Sequence, residues 1–217
     1  KMLVLVGALV AGGIVAFSAW FGVFTSIKIS EQKFDGGVFY YLDYQGHIKN
    51  IGTQFRSICS NRSKLLGRCD GVYPTGIYYD NPDSLVNQNL LRASAGLLVQ
   101  KSDLITSQIE EQLKTLGFKK VTLPAAISLY GKFPAKIGLS CVLGAMKFYP
   151  KLNKLVAESG GKYCGMEDSA SIEVIEGGNV HYYFLTEKFK EFQLSPHPRP
   201  ELKSSTTKGS EACKKTQ

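Results

Sequence analysis

Few residues in this chain have the types and spacing that catalysis requires. The sequence contains no glycine-rich phosphate loop, no Gly-x-Ser-x-Gly nucleophile elbow and no His-Glu-x-x-His metal motif. Its three histidines, His47, His181 and His197, lie in separate segments, and no characteristic spacing connects them to Cys141. The sequence therefore predicts a protein that is not an enzyme and that carries no metal or cofactor.

The cysteines also lack a recognisable arrangement. They are Cys59, Cys69, Cys141, Cys164 and Cys213. Their number is odd, no CxxC pair occurs and no spacing recurs, which argues against a disulfide framework and against a zinc site. We expect reduced structural thiols in a cytosolic-type compartment.

One apolar run precedes everything else. From Met2 to Phe24 the chain has no charged residue and no His, Asn, Gln or Pro. At about 1.5 Å of rise per residue, a helix of this length reaches roughly 34 Å and spans a hydrocarbon core of about 30 Å. A cleaved secretory signal ending near Ala19 is the alternative, but the run is longer than a typical signal core. We expect residues 1–26 to form a retained transmembrane anchor.

Charge suggests how the chain is oriented and what it contacts. Lys28 and Lys33 follow the apolar run closely, whereas only Lys1 precedes it, so the positive-inside rule places the C-terminal domain in the cytosol or an equivalent compartment. The formal net charge is +8, but the basic residues are scattered. We therefore expect contact with anionic lipid and no nucleic acid.

The rest of the chain alternates strand and helix patterns, and its opening pattern occurs twice. We predict strands at 38–42, 76–79, 90–99, 171–175 and 180–185, and helices at 47–59, 102–117 and 137–156. A shift of 89 positions pairs Val38 with Ile127 and Tyr41 with Tyr130, so the first strand and helix recur. Pro150 is expected to kink or break the last helix.

This order predicts an α+β fold in which an antiparallel sheet carries helices on one face. The predicted boundaries are a transmembrane anchor at 1–26, a linker at 27–34, a folded domain at 35–192 and a disordered basic tail at 193–217. Within the domain, modules at about 35–100 and 118–190 are joined by the connecting helix 102–117.

Several short motifs indicate a family. They are Gly76-Ile77-Tyr78-Tyr79-Asp80-Asn81-Pro82, Leu116-Gly117-Phe118-Lys119 before Leu123-Pro124-Ala125, Tyr149-Pro150, and Ser171-Ile172-Glu173-Val174-Ile175. Together with the N-terminal apolar run, they resemble the membrane-anchored form of the gyrase-inhibitor-like domain, a tandem strand-helix-strand-strand fold. The resemblance extends from the anchor to about Phe192.

The resemblance implies a single-pass endoplasmic reticulum protein that presents its domain to the cytosol as a receptor for selective autophagy of that organelle. In the family, an aromatic-x-x-aliphatic motif in a long acidic tail adds a strand to the autophagy modifier. Here the tail is short and basic, and Phe192-Gln193-Leu194 has a different spacing.

Other proteins of this fold resemble ligand sensors that bind lipophilic or cationic small molecules between the two modules, through an acidic residue and aromatic rings. The acid implied here is Glu173. The aromatic candidates are Tyr40, Tyr79 and Tyr183. Because Glu173 alternates with Ile172 and Val174, we expect it on the sheet face opposite the helices. The alternative is a solvated strand carboxylate with tyrosines packed where the modules meet.

Three functions follow as hypotheses. The first is a membrane-tethered adaptor that recruits protein partners. The second is a non-catalytic accessory subunit of a large membrane complex, for which a mitochondrial membrane is the alternative location to the endoplasmic reticulum. The third is a small-molecule-binding module.

Overall fold

The structure is a computed structural model that describes residues 12, 13, 16–20, 22–67, 70–136, 138–163, 165 and 169–203, apart from the side chain of Ser102. The strands in this part of the chain are β1 (Ser30–Phe34), β2 (Gly37–Gln45), β3 (Val72–Tyr78), β4 (Arg92–Val99), β5 (Lys119–Leu123), β6 (Ala126–Pro134), β7 (Ser171–Glu176) and β8 (Asn179–Leu185). The long helices are α1 (Ile51–Leu66), α2 (Ser107–Thr115) and α3 (Gly138–Glu158).

All eight strands form one antiparallel sheet in the order β1-β6-β8-β7-β3-β4-β2-β5. The order reads as two equivalent halves that meet at the β7–β3 pair, which we call the seam. Each half contains one strand-helix-strand-strand module, β2-α1-β3-β4 or β6-α3-β7-β8. The predicted α+β class and tandem antiparallel modules are therefore confirmed.

The two modules exchange the strands that precede them, β1 and β5. β1 leads into β2 along the chain but pairs with β6, and β5 leads into β6 but pairs with β2. The predicted offset of 89 positions relates β1 to β5 and β2 to β6, since Ser30 corresponds to Lys119 and Gly37 to Ala126. The predicted linker at 27–34 is thus wrong over 30–34. Four of the five β1 residues are exposed, which is typical of an edge strand. The sequence of β1 therefore does not alternate between apolar and polar residues, and the strand was not predicted.

The helices α1 and α3 lie on one face of the sheet, as predicted. In the first module, Ile58 of α1 packs against Ala95 and Leu97 of β4. In the second, Phe148 of α3 stacks on Tyr182 of β8 with ring centroids 4.8 Å apart. Each helix covers its own module, so the strands of the seam run between the two helices.

A second core fills the opposite face of the sheet. It includes Phe39, Ile77, Leu98 and Ile172, and Phe192 from the C-terminal segment closes it. Both faces of the central strands are therefore apolar. This arrangement matters for the orientation of Glu173, described below.

The C-terminal segment continues along the domain beyond Phe192. Leu194 packs against the second core, Leu202 forms a β-bridge with Leu85, and Arg92 Nη1 donates to the His197 carbonyl oxygen at 3.4 Å. The predicted disordered tail is therefore wrong for residues 193–203, which are held by specific contacts despite their polar, proline-rich sequence. Residues 204–217 lie outside the described residues.

A buried ion pair fixes the loop between β3 and β4. Arg92 Nη2 and Asp80 Oδ1 are 2.7 Å apart, and the Arg92 backbone N–H donates to Asp80 Oδ2 at 2.8 Å. Asp80 and Arg92 are only 5% and 8% exposed. Because Arg92 also contacts the His197 carbonyl, the pair joins the loop to the C-terminal segment.

Helix boundaries differ from the predicted ones where capping decides them. A short 3-10 turn over 48–50 precedes α1, which continues past the predicted end at residue 59 and ends at Leu66. α2 begins after Thr106, whose Oγ1 accepts from the Ile109 N–H at 3.3 Å, rather than after Ser102. Pro150 lies inside α3, which continues to Glu158.

Within the residues described above, no helix is long and apolar enough to cross a bilayer. Most of the predicted span at 2–24, namely positions 2–11, 14, 15 and 21, lies outside the described residues.

Candidate functional site

The seam provides a surface on which side chains from both modules meet between α1 and α3. We call this surface the cleft. Its floor is formed by β3 and β7, where Gly76 pairs with Glu173 and Tyr78 pairs with Ser171. A Cβ atom at Gly76 would lie 2.8 Å from Phe55 Cζ, so glycine is needed for the α1 side chain to lie this close to the floor.

Glu173 points into the cleft and is half-buried. Its Oε1 accepts a hydrogen bond of 2.8 Å from the Tyr149 hydroxyl of α3. Burial raises the Glu173 pKa to about 7, although the Tyr149 hydrogen bond acts in the opposite direction. The carboxyl group therefore changes charge near neutral pH.

The expectation that Glu173 faces away from the helices is wrong, because its hydrogen-bond donor is on α3. Its neighbours Ile172 and Val174 pack into the second core instead of under the helices. Strand alternation was predicted correctly, but the apolar face was assigned to the wrong side of the sheet.

Three tyrosines surround the carboxyl group. Burial raises the phenolic pKa values of Tyr78, Tyr149 and Tyr182, and the Glu173 charge raises them further. The Tyr182 hydroxyl donates to the Cys141 carbonyl oxygen at 3.0 Å. These phenols stay protonated at neutral pH. The Tyr182 ring is fully buried against Phe148, so the electron-rich surface beside the acid belongs to Tyr78 and Tyr149, which are partly exposed.

Two cysteine thiols lie near the cleft, one on each long helix. Burial, with a smaller contribution from Glu173, raises the Cys141 pKa to about 11, and burial also raises the Cys59 pKa. Both cysteines are free. Protonated thiols are poor nucleophiles, so they serve as weakly polar wall atoms. Cys69, Cys164 and Cys213 lie outside the described residues.

The structure does not bring the other three predicted site residues to Glu173. Tyr40 is buried with Ile58 and Leu113 on the helix side of the first module. Tyr79 and Tyr183 belong to the opposite face of the sheet. The Tyr79 hydroxyl donates to Ser94 Oγ at 2.8 Å, whereas the Tyr183 ring lies 5.3 Å from the Phe34 ring.

Two of the tyrosines around Glu173, Tyr78 and Tyr182, are direct sequence neighbours of predicted site residues. The third, Tyr149, lies on α3. Tyr78 precedes Tyr79 and Tyr182 precedes Tyr183, and a one-residue step moves a strand side chain to the other face. Tyr149 was noted only for the proline that follows it. Once Glu173 is assigned to the helix face, the pairing of Glu173 with Tyr182 identifies the correct parity.

Within the described ranges, no group of three His, Cys, Asp or Glu side chains is arranged to hold a metal ion. The polar groups of the cleft are one carboxyl, phenols, thiols and a serine hydroxyl. This set suits a cationic or hydrogen-bonding organic ligand better than a metal.

No family model matches the sequence, and no curated protein matches it. Several solved structures are similar. The C-terminal domain of EcmrR has a TM-score of 0.49 at 10% identity, covering 75% of this chain and 98% of its own. SAV2435 bound to tetraphenylphosphonium has a TM-score of 0.49 at 6% identity, covering 76% and 98%. An integron cassette protein from Vibrio cholerae has a TM-score of 0.43 at 10% identity, covering 75% and 97%. These are similarities of fold.

Proposed function

We propose that this protein binds lipophilic monovalent cations in the cleft between α1 and α3. The observation that carries the proposal is the half-buried Glu173 carboxyl group, which has a tyrosine hydroxyl as its hydrogen-bond donor and tyrosine rings around it. Among the described residues, no lysine, arginine or histidine forms an ion pair with Glu173, whereas the buried Asp80 carboxylate is paired with Arg92. A carboxylate in this setting is suited to a cation supplied by a ligand.

The raised Glu173 pKa is consistent with this role. Without a ligand, burial favours the neutral acid, and a bound cation would favour the carboxylate. The tyrosine rings would contact the apolar part of the ligand and contribute cation–π attraction. Binding should therefore be coupled to loss of the Glu173 proton.

Glu173→Gln should weaken the binding of tetraphenylphosphonium, a lipophilic monovalent cation, by about tenfold or more at pH 8, where a factor of ten corresponds to about 1.4 kcal/mol. The substitution keeps the size of the side chain and an acceptor for Tyr149 but removes the charge. Equilibrium dialysis of the full-length chain in detergent micelles, corrected with empty micelles, measures the dissociation constant. For the unmodified chain, affinity should rise severalfold between about pH 6 and pH 8, because Glu173 ionises near pH 7.

Glu176→Gln is the matched control. It removes the same charge from the same strand, but Glu176 lies on the opposite side of the strand from Glu173. Its affinity should stay within about twofold of the unmodified chain. Equal affinities for the two variants, or no binding by the unmodified chain, would contradict the proposal.

We also propose that the chain is attached to a membrane and that the first turns of α3 lie at the bilayer surface. Leu139, Val142 and Met146 are 62%, 54% and 69% exposed, and we call them the α3 apolar patch. Single exposed apolar residues are common, but three on adjacent turns of one helix form a patch. Next to Met146, Lys147 Nζ donates to the carbonyl oxygens of residues 22, 23 and 25. The patch therefore lies beside the end of the apolar run that begins at Met2.

In lipid nanodiscs, hydroxyl radicals should oxidise the α3 apolar patch at least about threefold more slowly than Val86 and Leu116, after each rate is divided by that of the denatured chain. Val86 and Leu116 are exposed apolar residues remote from the patch in sequence. The expected protection comes from burial of the patch among lipid headgroups and acyl chains. Mass spectrometry of the full-length chain gives all rates in one sample. Equal normalised rates would contradict surface contact by α3.

The adaptor, autophagy-receptor and accessory-subunit roles stay predictions, as do the cytosolic orientation, the organelle and the expected lack of enzymatic activity and nucleic-acid binding. Cation binding is compatible with each of them, because a ligand-responsive domain can also serve a larger assembly.

A further inference from the structure

The cleft contains a buried hydroxyl group that has no hydrogen-bond partner. Ser171 is 3% exposed, and its Oγ is buried without a partner among the described residues. It precedes Glu173 by two positions on β7, so both side chains lie on the helix side of the sheet. Its strand neighbours are Tyr78 and Phe184.

An unpaired buried hydroxyl is unusual in a folded protein. Desolvating a polar group without replacing its hydrogen bonds to water is unfavourable, and native structures contain few such groups. The Ser171 hydroxyl lies near the Tyr149 hydroxyl and acts to lower the Tyr149 pKa, against the larger effect of burial. The two hydroxyls nevertheless make no hydrogen bond of normal geometry. Tyr149 instead donates to Glu173.

The cleft thus has two oxygen acceptors close together on one strand. Glu173 offers carboxylate oxygens, and Ser171 Oγ offers free lone pairs as well as one O–H donor. A protonated amine carries a positive charge and up to three N–H donors, so one nitrogen can satisfy both groups. A quaternary ammonium or phosphonium ion carries the charge but has no N–H.

Building on the proposed cation binding, we propose that the cleft selects protonated lipophilic amines over permanently charged onium ions. One N–H group of the ligand nitrogen donates to Glu173, and Ser171 Oγ accepts a hydrogen bond from a second N–H group of the same nitrogen. The Glu173 charge and the tyrosine rings provide attraction common to both ligand classes. Ser171 provides the discrimination, since only an N–H donor relieves its missing hydrogen bond.

The test uses two monocations of one skeleton, methyl(naphthylmethyl)ammonium, which has two N–H donors, and its trimethyl analogue, which has none. Their dissociation constants are measured at pH 7.5 by equilibrium dialysis with the full-length chain in micelles. We expect the unmodified chain to bind the monomethyl ion about fivefold to tenfold more tightly than the trimethyl ion. Ser171→Ala should reduce this ratio to about twofold or less without weakening the trimethyl ion.

Ser128→Ala is the matched control, because Ser128 is also a buried strand serine but already donates to the Gln32 carbonyl oxygen at 2.7 Å. It should keep the full ratio. If Ser171→Ala folds poorly, Ser171→Cys, whose thiol is a weaker acceptor, should lower the ratio in the same direction.

Each outcome separates this proposal from the one it rests on. Equal binding of both ions by the unmodified chain, with Glu173 still required, would overturn the amine selectivity and leave cation binding intact. An amine preference that Ser171→Ala leaves unchanged would remove Ser171 from the site. Failure of both ions to bind would overturn both proposals.

Discussion

Asp80→Ala should lower the free energy of unfolding by about 3–5 kcal/mol, the range for removing one partner of a buried ion pair. The substitution leaves the Arg92 guanidinium buried without its carboxylate, and the Arg92 backbone N–H also loses its acceptor. Because Arg92 contacts the His197 carbonyl, the C-terminal segment should loosen as well. Urea denaturation followed by circular dichroism in mild detergent measures the stability change.

Asp35→Ala is the control for this experiment. Asp35 pairs with Lys33 at 3.7 Å, but both side chains are largely exposed. Such surface pairs contribute about 0–1 kcal/mol, so the control should hardly change the urea midpoint. A loss for Asp80→Ala that is no larger than the loss for Asp35→Ala would contradict the structural role assigned to the buried pair.

Glu173→Gln should stabilise the chain at pH 8 by about 2 kcal/mol. A shift of one pKa unit is worth about 1.4 kcal/mol, and the partial exposure of Glu173 makes the stabilisation smaller than the whole pKa shift would give. The folded-state pKa is raised from 4.5 to about 7. Between these values the folded chain binds more protons than the unfolded chain, so stability falls as pH rises and levels off above about 7. Glutamine removes this loss.

The gain should be small at pH 5, where the carboxyl is protonated in the folded state and only partly ionised in the unfolded state. Thermal or urea unfolding at pH 5 and pH 8 checks both points. Glu158→Gln, an exposed carboxylate on α3, should change stability by less than about 0.5 kcal/mol at either pH. A destabilising effect of Glu173→Gln at pH 8 would contradict the environment assigned to Glu173. Together with its weakened cation binding, this variant is expected to lose a ligand site while gaining stability.

Local pattern was sufficient to predict much of the fold. The strands around Phe39 and Ile172, the helical face of Ile58 and the repeat offset of 89 positions all follow from residue types and spacing. Pairing between distant strands did not follow, because β1 and β5 have little alternation and their partners lie in the other module. The linker prediction was wrong for this reason.

The site was predicted only in part. Glu173 as the ligand acid stays a prediction, whereas its side of the sheet was predicted wrongly, because Ile172 and Val174 meet an apolar core that resembles the one under the helices. Tyr79 and Tyr183 lie on the face opposite Glu173, each one residue after a tyrosine on the helix face. Ser171 could not be recognised from sequence, since a missing hydrogen bond is a property of the packed structure.

The exchange of β1 and β5 relates the two modules in the way that subunits of a strand-swapped dimer are related. It is the topology expected if two copies of one ancestral module formed a strand-swapped homodimer and later became a single polypeptide. In such a dimer the seam lies on the two-fold axis and presents identical residues from both subunits. Here the two sides have diverged, since Glu173 on β7 faces Gly76 on β3. On that account a once symmetric site now has an acid on one side of the axis and a glycine, covered by Phe55 of α1, on the other, so a ligand cation would meet a carboxylate from one side only.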